Sequence, residues 1–417
     1  MRIQPLNDAN ARRFFDRRRA SDPAALAVAE RIVRDVERRG DRALFAWSAR
    51  LDKLSLGPRT LWISRKEIAA AQSGAPRELM RALEHAAHNI RRVAERQLPR
   101  EWSFIVEPGV RVGQRVAALD AVGCYVPGGR HSLVSTLLMT AVPAQVAGVR
   151  RIVVACPKPN LAVLAAANLL GLTEIARIGG AQAIAALAYG TRSVPRVGKI
   201  FGPGNRYVTA AKQIVSADCA IDLPAGPTEV LVVATRGNAR FIAADLVAQA
   251  EHDPDARALF VTTSKKLAAA VRAEVESELR RLPPANPARR ALAANGAILL
   301  ASSVGAAAEF ANAFAPEHLS VPGGERALLT KLRAAGSIFV GPWSAQAIGD
   351  YASGSNHVLP TGGWARVRGG LSASDFVRTS SVQQISRAGF RSLDPVVRAL
   401  ANAEDLAAHA RSVEVRR

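Results

Sequence analysis

Cysteine is scarce in this sequence. Among 417 residues there are three, Cys124, Cys156 and Cys219, odd in number and never spaced C-x-x-C. That argues against a disulfide frame and a thiolate zinc site, and it fits a reducing, cytoplasmic setting. Aromatic residues make up only 5%, a thin supply for stacking nucleic-acid bases. No apolar run reaches the roughly 18 residues that a membrane span needs. The opening MRIQPLNDANARRFFDRRRA lacks the apolar core of a secretory signal and reads as a basic arm. No G-x-G-x-x-G follows a strand-like run, so the usual dinucleotide fingerprint is missing too.

What is present is abundant alanine, a hydrophobic fraction of 49% and a net charge of +21. The length is too great for one core and implies two or three domains. Of the basic residues 48 are Arg and 8 are Lys. They are spread along the chain on the polar faces of helical runs, as in RIVRDVERRGDRAL, 31–44. A protein that binds nucleic acid would gather them on one face. That competing reading predicts affinity falling steeply with salt, and no nucleic-acid partner is expected.

The first 110 or so residues read as helices, from the apolar spacing of PAALAVAERIVRDVERRGDRALFAW and RELMRALEHAAHNIRRVAERQL. From about 120, short β-rich runs (AVGCYV, RRIVVAC, EIARIGG, GKIFG, CAIDLPAG) alternate with Ala/Leu helices. A second series follows: EVLVVA, ALFVTT, AILLAS and SIFVG. This rhythm predicts an α/β protein with two doubly wound, mainly parallel sheets. The expected division is a segment 1–20, a larger α/β domain from 21–120 with 230–370, a second α/β domain 121–229, and a C-terminal segment 371–417. The Gly-rich stretch 348–370 is too long for mere connection and reads as functional. In the tail, Asp394 is a plausible helix N-cap and Pro395 suits the first helical position.

Four glycine turns, GCYVPGGR, RIGGAQ, FGPGN and LPAGPTE, follow strand-like runs and carry Tyr125, Gln182, Asn205 and Thr228. Gathered at the carboxyl edge of a parallel sheet they would form a polar ligand cleft. His85 and His88 find no further ligand and read as surface residues. Gln249 and His252 lie about 60° apart on a helix, with Asp245 a further stacked neighbour. From spacing they are either half of a zinc site or an ordinary solvated helix end. Glu317 and His318, in APEHL, could supply two proton-transfer groups. Asp350 and His357, and Glu404 and His409, are individually bland. Cys124 and Cys156 have no activating neighbour and read as inert buried thiols.

In combination, YVPGG, GGAQAIAALAYGT, GPGNRYVTAAK, AGPTEVLV, DLVAQAEHDPDA, APEHL, GDYASGSNHVLPT and LAAH resemble the histidinol dehydrogenase family over essentially the whole chain. The resemblance implies two incomplete Rossmann-like domains of aldehyde-dehydrogenase-like architecture, with small N- and C-terminal helical segments, in an intertwined homodimer. It implies two NAD-dependent oxidations of L-histidinol, through L-histidinaldehyde, to L-histidine. It implies one Zn2+ per subunit held by Gln249, His252 and Asp350, with His409 reaching across from the partner. Glu317 and His318 are then the catalytic pair, and Tyr125, Gln182 and Asn205 contact NAD. Substrate falls to Thr228, Gln249, His252, His318, Asp350, Glu404 and His409. Thr228 stands where the family usually has Ser, and the loop 128–138 departs from its commonest form. A paralogue acting on another small alcohol is the competing enzymatic reading.

Overall fold

The computed structural model describes residues 1–16, 22–128, 132–223 and 226–417. Residues 129–131 of the expected 128–138 loop, residues 224 and 225 of LPAGPTE, and residues 17–21 lie outside the described residues. The chain opens with a strand, β1 (Arg2–Pro5), and the helices that follow are Asp8–Asp16 and Pro23–Arg39. Asp22 caps the second, its carboxylate accepting the Ala25 N–H at 3.0 Å, and Pro23 occupies the first turn. Further helices lead to β2 (Trp102–Glu107) and β3 (Val110–Ala118).

The first α/β unit then supplies β4 (Ala121–Tyr125), β5 (Arg151–Ala155), β6 (Ile175–Ala176), β7 (Lys199–Phe201) and β8 (Ala220–Ile221). They form a parallel sheet ordered β6-β5-β4-β7-β8. The second unit supplies β9 (Glu229–Val233), β10 (Arg257–Thr262), β11 (Ala297–Leu300), β12 (His318–Val321) and β13 (Ser337–Val340). With β1 they make a six-stranded parallel sheet ordered β1-β11-β10-β9-β12-β13. Every residue of β9 and β10 is buried, which is why their interiors, VLVV and ALFV, are continuously apolar rather than alternating. The expected α/β class with two parallel sheets is what the chain adopts.

The packing of the N-terminal helices differs from the expected grouping. The apolar stripe Ala25, Ala29, Ile32, Val33 and Val36 of Pro23–Arg39 lies against Val153, Ala155 and Ile200 of the five-stranded sheet. Leu83, Ala86 and Ile90 of Arg77–Gln97 share the core on its other face, which also takes in Val358, Leu371 and Phe376. Residues 22–97 and the end of the Gly-rich stretch therefore belong with 121–221, not with 230–340. Nor is the opening a free basic arm: residues 2–5 pair in register with 297–300.

A third, antiparallel sheet, β14-β3-β2, joins β14 (Val377–Ile385) to the β2–β3 hairpin. Exposed Trp102, Phe104 and Ile385 lie on one of its faces and exposed Ile105 and Val382 on the other. The tail helix Arg387–Ala403 begins earlier than expected. Ser386 is its cap, accepting the Gly389 N–H at 3.2 Å, and Pro395 lies inside it. The expectation at Asp394 fails because a better cap eight residues upstream starts the helix, and the proline forfeits only one backbone hydrogen bond. Asp394 is instead a buried anchor for Arg398 and Arg417, at 3.2 and 2.5 Å. Among the described residues no helix is long and apolar enough to cross a membrane.

Candidate active site

Residues 222–228 run from the end of β8 to the start of β9. So short a link holds the carboxyl edge of the five-stranded sheet close to the amino edge of the six-stranded one. Tyr125, Gln182 and Asn205 lie at the first edge; Thr228 lies at the second. Three of the four turn residues thus meet the expectation of one carboxyl edge, and the cleft is built from two unlike edges.

At the amino edge, parallel pairing sets His318 beside Val230 and brings the entries of β9 and β12 together. Glu317 and His318 are both buried. One Glu317 oxygen, Oε2, accepts the Thr228 hydroxyl at 2.5 Å and the Glu229 N–H at 2.8 Å. That leaves Oε1 free of these bonds. The helix Ala239–Ala250 packs against β9 and returns to the same edge, where it delivers Gln249. Gln249 donates to Thr228 Oγ1 and lies 3.5 Å from His318 Nδ1.

His318 Nδ1 also lies 3.2 Å from the Glu229 carbonyl. A carbonyl only accepts, so Nδ1 carries the hydrogen and Nε2 is the working nitrogen. Nε2 is buried without a hydrogen-bond partner, 3.4 Å from Asp350 Oδ1. Burial works against charge on this ring, but Glu317 and Asp350 outweigh it and push its pKa up to about 10. The Asp350 carboxyl is partly buried, which raises it, yet His318, His357 and His252 outweigh this and hold it below the ordinary value.

Asp350 comes from the short helix Gln346–Tyr351. The turn after it is clamped to Arg77–Gln97, where Asn89 donates to the Ala352 carbonyl at 2.8 Å. Gly354 has φ +95°, and a Cβ there would lie 2.5 Å from the Asn89 carbonyl oxygen. Only glycine fits this approach. His357 reaches back to the Asp350 carbonyl at 3.0 Å.

His252 lies exposed just past the end of Ala239–Ala250, and its charge acts on Asp350. Gln249, His252 and Asp350 therefore offer one nitrogen and two oxygens from three neighbouring positions. Zinc takes such donors but wants four. Among the described residues no group of three or more His, Cys, Asp or Glu could hold a metal. The single chain thus fits zinc as a partial donor set. His409 and Glu404 are exposed on the tail, and no hydrogen bond or ion pair among the described residues joins either to these three. His85 and His88 are exposed on their helix. The cysteines are buried, with burial raising Cys124 to about 12 and Cys156 and Cys219 to about 11.

At the other edge, Tyr125 is buried and its hydroxyl accepts the Gly180 N–H at 3.1 Å. Asn205 is exposed and caps Arg206–Val215 by accepting the Tyr207 and Val208 N–H groups at 3.0 and 3.1 Å. A buried pair holds the turn before it: Lys212 binds Asp222 and donates to the Gly202 carbonyl at 3.0 Å, while Asp222 accepts the Gly202 N–H at 2.7 Å. Gln182 is wholly buried, and its amide donates to Asp52 at 2.9 Å. Asp52 was not foreseen, since it lies in a stretch that reads as the polar end of a surface helix.

A model of the family described as histidinol dehydrogenase matches residues 15–417. A histidinol dehydrogenase of Bradyrhizobium diazoefficiens is 46% identical over 396 residues, 94% of this chain and 92% of its own. That of Methanosarcina barkeri is 42% identical over 423 residues, covering 100% of this chain and 97% of its own. The crystal structure of histidinol dehydrogenase from Elizabethkingia anophelis superposes with a TM-score of 0.94 at 36% identity, covering 100% of this chain and 98% of that one.

Proposed function

The chain belongs to the histidinol dehydrogenase family, and from that premise we propose that it oxidises L-histidinol to L-histidine in two successive NAD-dependent steps in the cytoplasm. The observation that carries the reading is the convergence of Glu317, His318, Gln249, Thr228 and Asp350 at one buried edge.

In its neutral form, which gains population as pH rises towards its pKa of about 10, His318 takes the hydroxyl proton of histidinol at Nε2, and its Nδ1–H, held by the Glu229 carbonyl, keeps the ring in the orientation this needs. Glu317 serves the second oxidation. Its Oε2 is fixed by Thr228 and the Glu229 N–H, which leaves Oε1 to draw a proton from the water that hydrates the aldehyde. Zinc, when bound by Gln249, His252 and Asp350 with His409 of a second copy, supplies a fixed positive charge that orients the substrate's imidazole and amino nitrogens. NAD, when bound near Tyr125, Gln182 and Asn205, supplies the hydride acceptor. Thr228, Gln249, His252, His318 and Asp350 line the substrate's place, and Glu404 joins His409 from the partner's tail in a homodimer. The burial of Glu317 and His318 keeps bulk water from both proton transfers.

The test is the zinc-loaded protein with L-histidinol and NAD, following reduced cofactor. Two NADH per histidinol are expected. Turnover of another small alcohol with none of histidinol would overturn the reading.

A further inference from the structure

In doubly wound folds the group at the end of the second strand reads the 2′ position of the adenosine ribose: a carboxylate selects NAD, a cation NADP. Here the first strand is β4, the second is its parallel neighbour β5, and the first charged residue after it, three positions beyond Ala155, is exposed Lys158. Its backbone is pinned by the Ser132 hydroxyl, 2.6 Å from its carbonyl. Taken alone, that cation would favour a 2′-phosphate.

The carboxylate comes from elsewhere in the chain. Asp52 ends the single π-helical turn Ser48–Asp52 and is half-buried over the first turn of Gly180–Tyr189. Its charge acts on that of Lys158, and burial raises its carboxyl above the ordinary value. One oxygen, Oδ2, is held by the Gln182 amide at 2.9 Å. Gln182 itself is 0% exposed. Its Oε1 is buried with no partner against Gly180, where a Cβ would come within 2.7 Å of it. Gln182 is thus covered, and the half-buried carboxylate bonded to it is Asp52. The Asp52 oxygen not held by Gln182 is an acceptor, which suits a hydroxyl donor of a ribose diol. An acceptor-only 2′-phosphate finds like charge there.

We propose that Asp52, positioned by Gln182 and opposed by Lys158, reads the adenosine ribose of the dinucleotide and sets the preference for NAD over NADP. The proposal rests on the NAD-linked reading above and deepens it. It makes Gln182 a positioning residue and Lys158 a latent phosphate site.

The test measures equilibrium binding of NADH and NADPH to the full-length, zinc-loaded protein by cofactor fluorescence. The parent binds NADH the more tightly. Asp52→Asn shifts the ratio of the two dissociation constants towards NADPH by about tenfold. Adding Lys158→Ala to that variant abolishes the NADPH gain. Lys158→Ala alone, at an exposed position that leaves folding intact, moves the ratio further towards NADH. An unchanged ratio in Asp52→Asn and in Lys158→Ala, with NADH still bound by the parent, overturns the assignment of Asp52 while the NAD-linked reading stands. Failure of the parent to bind NADH overturns that reading and the proposal with it.

Discussion

One hydroxyl, that of Thr228, serves two neighbours: it donates to Glu317 and accepts from Gln249. Thr228→Val keeps the shape but removes one hydrogen bond from Glu317 and the one Gln249 donates, which costs about 1–3 kcal/mol. The urea midpoint should fall, and turnover should fall with it, whereas Thr228→Ser should retain both. Glu317→Gln is expected to spoil aldehyde oxidation more than alcohol oxidation, because only the hydration step needs its free oxygen. Presteady-state measurement of the two half-reactions checks this, and equal losses would refute the division of labour. Asp245 lies one turn before Gln249, and burial alone raises its pKa from 3.8 to about 6. A carboxyl raised in the folded state destabilises as it ionises. The penalty is absent below pH 3.8, grows towards 6 and is full above it. Asp245→Asn should therefore raise stability at pH 7.5 by on the order of 2 kcal/mol, after allowance for its partial exposure. The gain should vanish near pH 3.5, as thermal melts at the two pH values would show. Helical periodicity shows which residues share a face, so Asp245, Gln249 and His252 were legible as neighbours. Nothing local to APEHL indicates that Glu317 meets Thr228, because that contact exists only once β9 and β12 pair.

At the scale of elements, the strongly apolar strands were legible and the weakly patterned ones were not. EVLVV and RALFVT carry their burial in their composition. VRTSSVQQI is polar on both faces, so β14 is recognisable only through its partner β3. HLSV is a strand of four residues, too short for an alternation to register, and His318 therefore reads as the residue after a helix rather than the first of a strand. The turn after Gln346–Tyr351 invites a test of its own. Gly354→Ala forces a Cβ against the Asn89 carbonyl at a backbone angle that favours glycine. The clamp should open and Asp350 should lose its fixed place. Zinc retention after dialysis should drop several-fold while the helical circular dichroism signal stays close to that of the parent.

For the whole molecule, the tail and the third sheet leave Val396, Leu400, Leu406, Val415, Phe104 and Ile105 exposed. Exposed apolar side chains of this kind suit burial against a second copy, which supports the dimer proposed above. If His409 completes the partner's zinc site, His252→Ala and His409→Ala homodimers should each be nearly inactive. Refolding the two together should restore activity, because a mixed dimer contains one site with neither substitution. Assay of the mixture decides it, and no recovery would place the fourth ligand within one chain. The assignment of β1 to the edge of the six-stranded sheet bears on how the protein is made. Residues 2–5 leave the ribosome long before residues 297–300, with which they pair, whereas the five-stranded sheet is complete once residue 221 has emerged. Until Arg2–Pro5 docks, the edge of Ala297–Leu300 stands open, a template for a neighbouring nascent chain. The opening residues thus act as a built-in edge guard, set in place late in biogenesis.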